Sequence, residues 1–314
     1  MTIRHYQPGD ETAQAAIFNA AAAGLPAFKP ATVLELQRRI RVRDFDPTLR
    51  LYLEAENQVV GYGILQKNGR VSYPWCLPGF ESQRELLFEA MLAQARGHGV
   101  TRAFAAYRND WRGVGDFFLS HGFAIARELV NFYIPFHEMP TPSTILSSSM
   151  GPVTPEDVPQ ILALAPEVLR VKTAAELERV LFKNPYFTPD ALFALRSRIN
   201  RTVLAVGIFV RDATYANPEA IDPQAPCFRL GAFGAEGMAT KRVNGLFSFL
   251  TKADRTLNSY GLELMGEAAG RVSDDDTMDG LAAQAPSDVP ALIAFYHKFF
   301  RRQGSFPVYE RELG

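Results

Sequence analysis

Cysteine is almost missing from this chain of 314 residues. Cys76 and Cys227 stand far apart, each inside a strand-like run. A disulfide framework is therefore not expected, and buried free thiols in a reducing compartment are. Histidine is scarce as well: 5 residues, scattered without ligand-like spacing, argue against a zinc site, and no metal is expected. Charge of one sign is absent. With 33 Lys and Arg against 34 Asp and Glu, the net charge is -1, so neither nucleic acid nor an anionic membrane is an expected partner. No apolar run is long enough to span a bilayer. The opening MTIRHYQPGDE is polar and runs straight into a strand pattern, so no signal peptide and a cytoplasmic location are expected. What is present is ordinary for a globular protein: 47% hydrophobic and 21% charged residues, over a length that suggests about two domains.

The apolar pattern supplies the order of elements. A short strand at residues 2–6 leads through Pro8, Gly9 and Asp10 into an alanine-rich helix closed by Gly24. A second helix carries Arg38, Arg39, Arg41 and Arg43 on a solvated face. Strands at 50–55 and 59–66 flank Glu56 and Asn57, a hairpin turn, and a third strand covers 70–77. Ser82 is placed to cap the next helix; a strand at 101–107, a partly helical segment at 109–121 and a strand at 124–135 follow. Residues 137–150 are rich in proline and serine and read as a linker. The pattern then restarts: helices near 158–170 and 173–183, strands at 192–196 and 203–210, a proline-rich stretch at 212–226, an insertion at 268–290 with Asp274, Asp275 and Asp276, a helix from Ala291 and a closing strand from Ser305. The repeated order implies a duplicated fold.

Residues 227–261 hold the focal stretch. Residues 227–233 read as a buried strand ending at Phe233, 234–245 as a loop with Gly234, Gly237 and Gly245 beside Lys241 and Arg242, and 246–261 as a helix closed by Gly261, with a strand at 262–266. A helix N-terminus leaves N–H groups unpaired and carries partial positive charge, so a phosphate fits there; glycines between a strand and a helix are also common in plain turns. The order Arg242, Val243, Asn244, Gly245, Leu246, Phe247 resembles the Arg/Gln-x-x-Gly-x-Gly/Ala loop of the GNAT N-acetyltransferases, which cradles the pyrophosphate of acetyl-CoA. Arg242 and Gly245 match its first two fixed positions, and Phe247 replaces the small third residue. The element order of 1–136 and the stretch from Phe117 to Phe123 resemble the same family, with Phe118 where it usually has a tyrosine; the first half has no Arg-x-x-Gly loop.

The resemblance implies an α/β (α+β) protein of two tandem GNAT-like domains, 1–136 and 151–314, joined by 137–150. Each is a mixed, mostly antiparallel central sheet flanked by helices. It implies acetyl-CoA as co-substrate, bound in the second half by Phe233, Gly234, Gly237, Lys241, Arg242, Val243, Asn244 and Gly245, and direct attack by a primary amine, from a small molecule or a peptide N-terminus, on the thioester. It places Tyr296 where the family's thiolate-protonating tyrosine sits. A phenol, with an ordinary pKa of about 10, is a suitable donor, and Tyr296 also reads as one more core aromatic among phenylalanines. Glu236 and Glu267 are the candidate bases. An acyl-CoA-binding or ligand-sensing protein without turnover is the alternative reading.

Overall fold

The computed structural model describes residues 1–26, 28, 30–41, 45–140, 148–169, 171, 173–182, 189–210, 245–272 and 279–314. They pack as two units: Met1–Glu128 with Ser305–Gly314, and Leu129–Gly304. The sequence reading placed the two domains at 1–136 and 151–314, joined by 137–150.

The first unit contains β1 (Thr2–His5), α1 (Asp10–Ala22), α2 (Val33–Ile40), β2 (Arg50–Ala55), β3 (Gln58–Ile64), β4 (Trp75–Cys76), α3 (Arg84–Gly97), β5 (Arg102–Ala106) and α4 (Arg112–Ser120). It also holds the start of β6 (Ala124–Pro135) and most of β12 (Arg301–Glu312). Gly9, at φ 104°, turns the chain into α1. The buried Asp10 carboxylate accepts from Gln7 N–H at 2.7 Å and from both Arg4 terminal nitrogens at 2.7 and 2.8 Å, which fixes the angle between β1 and the helix. Glu56 and Asn57 both have positive φ, as a two-residue hairpin between right-twisted strands requires. Strands β1 to β4 are ordered 1-2-3-4, and β5 pairs antiparallel with β12 from Val308↔Ala106 to Glu312↔Arg102. Leu87, Phe88, Met91, Leu92 and Ala95 form the buried stripe of α3. Ser82 lies in a 3-10 turn ahead of that helix and accepts from Gln83, rather than capping it.

The second unit contains β7 (Ser148–Pro152), α5 (Val158–Leu164), α6 (Pro166–Leu169), α7 (Ala174–Phe182), β8 (Leu192–Ser197), β9 (Val203–Val210), β10 (Leu246–Thr251), α8 (Leu257–Gly270), β11 (Gly280–Pro286) and α9 (Pro290–Phe299). β7 starts inside the segment read as linker. With residues 129–135 of β6, the sheet order is β6-β11-β10-β9-β8-β7. Every neighbouring pair is antiparallel except β10 and β11. Thr154 and Asp157 close a capping box ahead of α5, and Arg196 binds that carboxylate at 2.5 Å.

Three expectations for this unit are overturned. Residues 246–251 are a strand, not the start of a helix. Leu246, Phe247, Ser248, Phe249, Leu250 and Thr251 pair one for one with Val210 back to Ala205, and short apolar runs carry no period long enough to separate helix from strand. Residues 262–266 are helical, inside α8, so Gly261 is a mid-helix residue rather than a C-cap. The described part of 268–290 holds the end of α8, all of β11 and the first residue of α9, while Asp274, Asp275 and Asp276 lie outside the described residues. The expected strand at 227–233 lies outside the described residues.

Gly261 has a packing reason for its place. A Cβ there meets Phe295 ring carbons at 2.6 and 2.8 Å and Phe249 at 2.8 Å, so the glycine lets α8 approach α9 and β10. Alanine is about 1 kcal/mol better than glycine in a helix interior, whereas overpacking costs about 1–3 kcal/mol. The clash outweighs propensity: Gly261→Ala is expected to lower unfolding free energy by about 1–2 kcal/mol in urea titration. A stabilised variant would show that α8 and α9 are less closely packed than described.

Candidate active site

The site is organised by the only parallel pair among the described strands of the second unit's sheet. β10 and β11 pair at one position, Leu246↔Ala282, where Ala282 N–H donates to Gly245 C=O at 2.9 Å. Beyond it the two strands stay paired on their outer sides. β10 keeps β9 through Thr251↔Ala205, and β11 keeps β6 through Pro286↔Leu129. The inner edges part toward the C-terminal ends. Backbone N–H and C=O groups on such edges need partners, so a widening gap between parallel strands is a place for an extended, amide-bearing ligand.

α9 sets Tyr296 against these strands. Its ring stacks on Phe132 of β6 at 5.3 Å and 22°, and meets Phe249 of β10 at 5.9 Å. Phe295 and Phe300 close in edge-on at 5.4 and 5.1 Å. The side chain is fully buried, and its hydroxyl makes no hydrogen bond of ordinary geometry. Ser248, two residues past the last paired position of β10, is the polar group that acts on it. Burial pushes the phenol well above its usual range, and the Ser248 hydroxyl opposes this only in part. Burial thus holds the Tyr296 phenol in its neutral form. It is at once a core aromatic and a hydroxyl held beside Ser248, so the two roles the sequence offered are not exclusive. His297, next along α9, is exposed and meets Phe132 edge-on.

The turn after β10 joins it to α8. Asp254 Oδ1 accepts from Thr256 N–H at 2.8 Å and from Thr256 Oγ1–H at 2.6 Å. Those hydrogen bonds hold the Asp254 carboxyl below its ordinary range, with help from Lys252 and Arg255. Both cations are exposed. This turn, residues 252–256, is where the chain passes from the parted strand to a helix N-terminus. Sequence reasoning placed that passage at 242–245 because the glycines there drew attention. The available signal was Asp254 two residues before Thr256, a turn former ahead of a helix.

Of the residues singled out from sequence, Phe233, Gly234, Glu236, Gly237, Lys241, Arg242, Val243 and Asn244 lie outside the described residues. Gly245 is buried at φ 113° and leads into a strand, so no helix N-terminus follows it. Phe247 lies in the core, stacked with Phe249 at 5.8 Å. Glu267 sits in the C-terminal half of α8 and pairs with Arg271 at 3.0 Å. Arg271 also donates to Asp190 C=O and lies over the Phe193 ring. Among the described residues the partner of the Glu267 carboxylate is Arg271, and no contact with Tyr296 is found. Among the described residues there is no cluster of metal-ligating side chains, and no helix is long and apolar enough to cross a membrane.

No family model and no curated protein matches the sequence. Solved structures do. A GCN5-related N-acetyltransferase from Sphaerobacter thermophilus superposes with TM-score 0.67 at 12% identity, over 99% of this chain and 95% of that one. A tandem GNAT protein from the clavulanic acid biosynthesis pathway gives 0.59 at 13% identity, over 100% and 98%. Saccharomyces cerevisiae N-myristoyltransferase, solved with bound myristoyl-CoA, gives 0.53 at 10% identity, over 99% and 78%. At these identities the likeness is one of fold, and it runs the length of the chain: this chain has the fold of the GNAT N-acetyltransferases.

Proposed function

We propose that the second unit is an acyltransferase that moves an acetyl group from acetyl-CoA to a primary amine. The parting of β10 from β11, with the Tyr296 phenol buried beside Ser248, carries this reading. The similar proteins include acetyltransferases and one solved with an acyl-CoA, which supports it. In this reading the pantetheine arm lies along the inner edge of β10 and pairs with its free backbone groups, as an added strand does. The diphosphate takes the N-terminal turn of α8 between Lys252 and Arg255, rather than 242–245, because the helix begins at Leu257.

The amine nitrogen attacks the thioester carbonyl carbon. A backbone N–H in the gap steadies the oxyanion. As the C–S bond breaks, its electron pair goes to sulfur and Tyr296 gives that sulfur its proton. The ammonium gives one proton through a base to solvent before it attacks, and the second nitrogen proton, lost as the amide forms, passes through a base or water to the phenolate. Glu236 is the proposed base, since Glu267 is committed to Arg271. The acceptor is a small-molecule amine or a peptide N-terminus.

One observation favours a second reading, an acyl-CoA-binding or ligand-sensing protein without turnover. Asp254 sets a carboxylate on the Thr256 N–H, in the turn where the diphosphate would approach α8.

Thiol release from acetyl-CoA across a panel of primary amines tests the proposal. Tyr296→Phe is expected to lower kcat by about 10²-fold or more while acetyl-CoA affinity stays within about threefold. An unchanged kcat would remove Tyr296 from the chemistry, and binding without turnover on any amine would favour the second reading. Because the phenol's pKa is raised, any loss of rate on its ionisation falls above about pH 10, the ordinary phenol value, and not at neutral pH. Asp254→Asn keeps an oxygen able to cap Thr256 N–H and removes a charge worth about 0.3–1 kcal/mol at a helix end. It is expected to tighten acetyl-CoA about two- to fivefold in calorimetry; weaker binding would place the diphosphate elsewhere.

A further inference from the structure

The first unit has a counterpart of this gap, and its contents differ. Residues 69–76 and β5 run parallel and are joined at one end. Phe104 N–H donates to Gly69 C=O at 2.9 Å, and Val71 N–H donates to Phe104 C=O at 2.8 Å. Past Val71 the strand keeps its outer partner, with Ser72 N–H on Ile64 C=O and Trp75 opposite Tyr62. Groups alternate along a strand, so the next inward N–H after Val71 belongs to Tyr73. This N–H donates to the Tyr107 hydroxyl at 2.6 Å. Tyr107 is the first residue beyond β5, and its side chain reaches back across the opening.

The ring that carries this hydroxyl is held by two stacked neighbours. It stacks on Phe118 at 5.7 Å and 22°, and on Trp111 at 6.1 Å and 29°. Trp111 is fixed in turn by its indole N–H on Pro26 C=O at 2.9 Å and by an edge contact to Trp75 at 6.2 Å. Tyr73 packs edge-on against Trp75 and Phe117 at 4.8 and 5.0 Å. The loop before α3 is occupied too: Glu81 Oε2 accepts Gly79 N–H at 2.8 Å, setting a carboxylate where an anion would approach.

We propose that Tyr107 is an internal plug: its hydroxyl takes the strand amide that a pantetheine arm would use, and its clamped ring fills the opening, so the first unit of the native chain does not admit an acyl-CoA arm. This rests on the fold reading of both units, and on the second unit's activity only for its comparison site. The closure is a side-chain contact between two parted strands, so removing the side chain reopens the gap. The plug makes Tyr107 the residue that restricts acyl binding to one half of a duplicated fold.

The probe is S-acetylpantetheine, which carries the amide arm and thioester without the diphosphate, titrated into the full-length 15N-labelled chain and followed by amide shifts. In the native protein the Tyr73 amide is expected to stay still at saturating probe. In Tyr107→Ala it is expected to move and saturate with the probe. Movement of the Tyr73 amide in the native protein, or none in a folded Tyr107→Ala, overturns the plug. The amides of residues 247–251 report separately: if they stay still, the proposed function of the second unit fails while the Tyr73 comparison still decides the plug. Should Tyr107→Ala not fold, Tyr107→Phe tests the contact directly. Its Tyr73 amide is expected to exchange with solvent about fivefold faster or more, and unchanged exchange overturns the proposal.

Discussion

Two parallel strands that pair at one end and then separate impose the main constraint on each half of this protein. A backbone edge opened inside a sheet leaves N–H and C=O groups that have to be satisfied by something. Among the described residues of the second unit β10 and β11 pair only at Leu246 and Ala282, and the Tyr296 phenol lies beside Ser248 of β10. In the first unit the same kind of opening is closed by the Tyr107 hydroxyl on Tyr73 N–H. The same architecture thus appears with two different solutions to one hydrogen-bonding problem. That difference, rather than any difference in fold, separates a gap suited to a ligand from one that is filled.

The aromatic residues divide in the same way. Around Tyr296, Phe132, Phe249, Phe295 and Phe300 build a dry wall that keeps the phenol neutral and fixes its ring. Around Tyr107, Phe118 and Trp111 both stack on the ring. Phe118 stands where the family resemblance expects a tyrosine, so the first unit lacks the hydroxyl that the second has in Tyr296. Glu81 and Asp254 put carboxylates on backbone amides of the loops before α3 and α8. In the second unit Lys252 and Arg255 flank that carboxylate and offset it.

Much of the fold was legible in the sequence because its signals are local. The hairpin at Glu56 and Asn57, the alanine-rich α1 and the aromatic spacing of α9 are each set by a few neighbouring residues, and the structure has all three. The focal stretch failed for a physical reason. Six residues before a turn, four of them apolar, fit a strand or a helix equally, and β9 decides between them by offering a paired edge. Once 246–251 was read as helix, α8 was displaced and Gly261 looked like a cap, whereas its place is set by Phe249 and Phe295. Tyr296 was legible as a candidate because its position follows from element order. Tyr107 was not, because a tyrosine at a strand end carries no signal until the parted strand opposite it is known.

The central claim is that an acyl thioester enters between β10 and β11 with its sulfur at Tyr296. A crystal structure of the protein soaked with acetyl-CoA tests it most directly. The expected result is the pantetheine arm against the inner edge of β10, with sulfur within about 4 Å of Tyr296 Oη, allowing for van der Waals contact. Acetyl-CoA bound at another place, or β10 and β11 joined by backbone hydrogen bonds along residues 247–251, would contradict it.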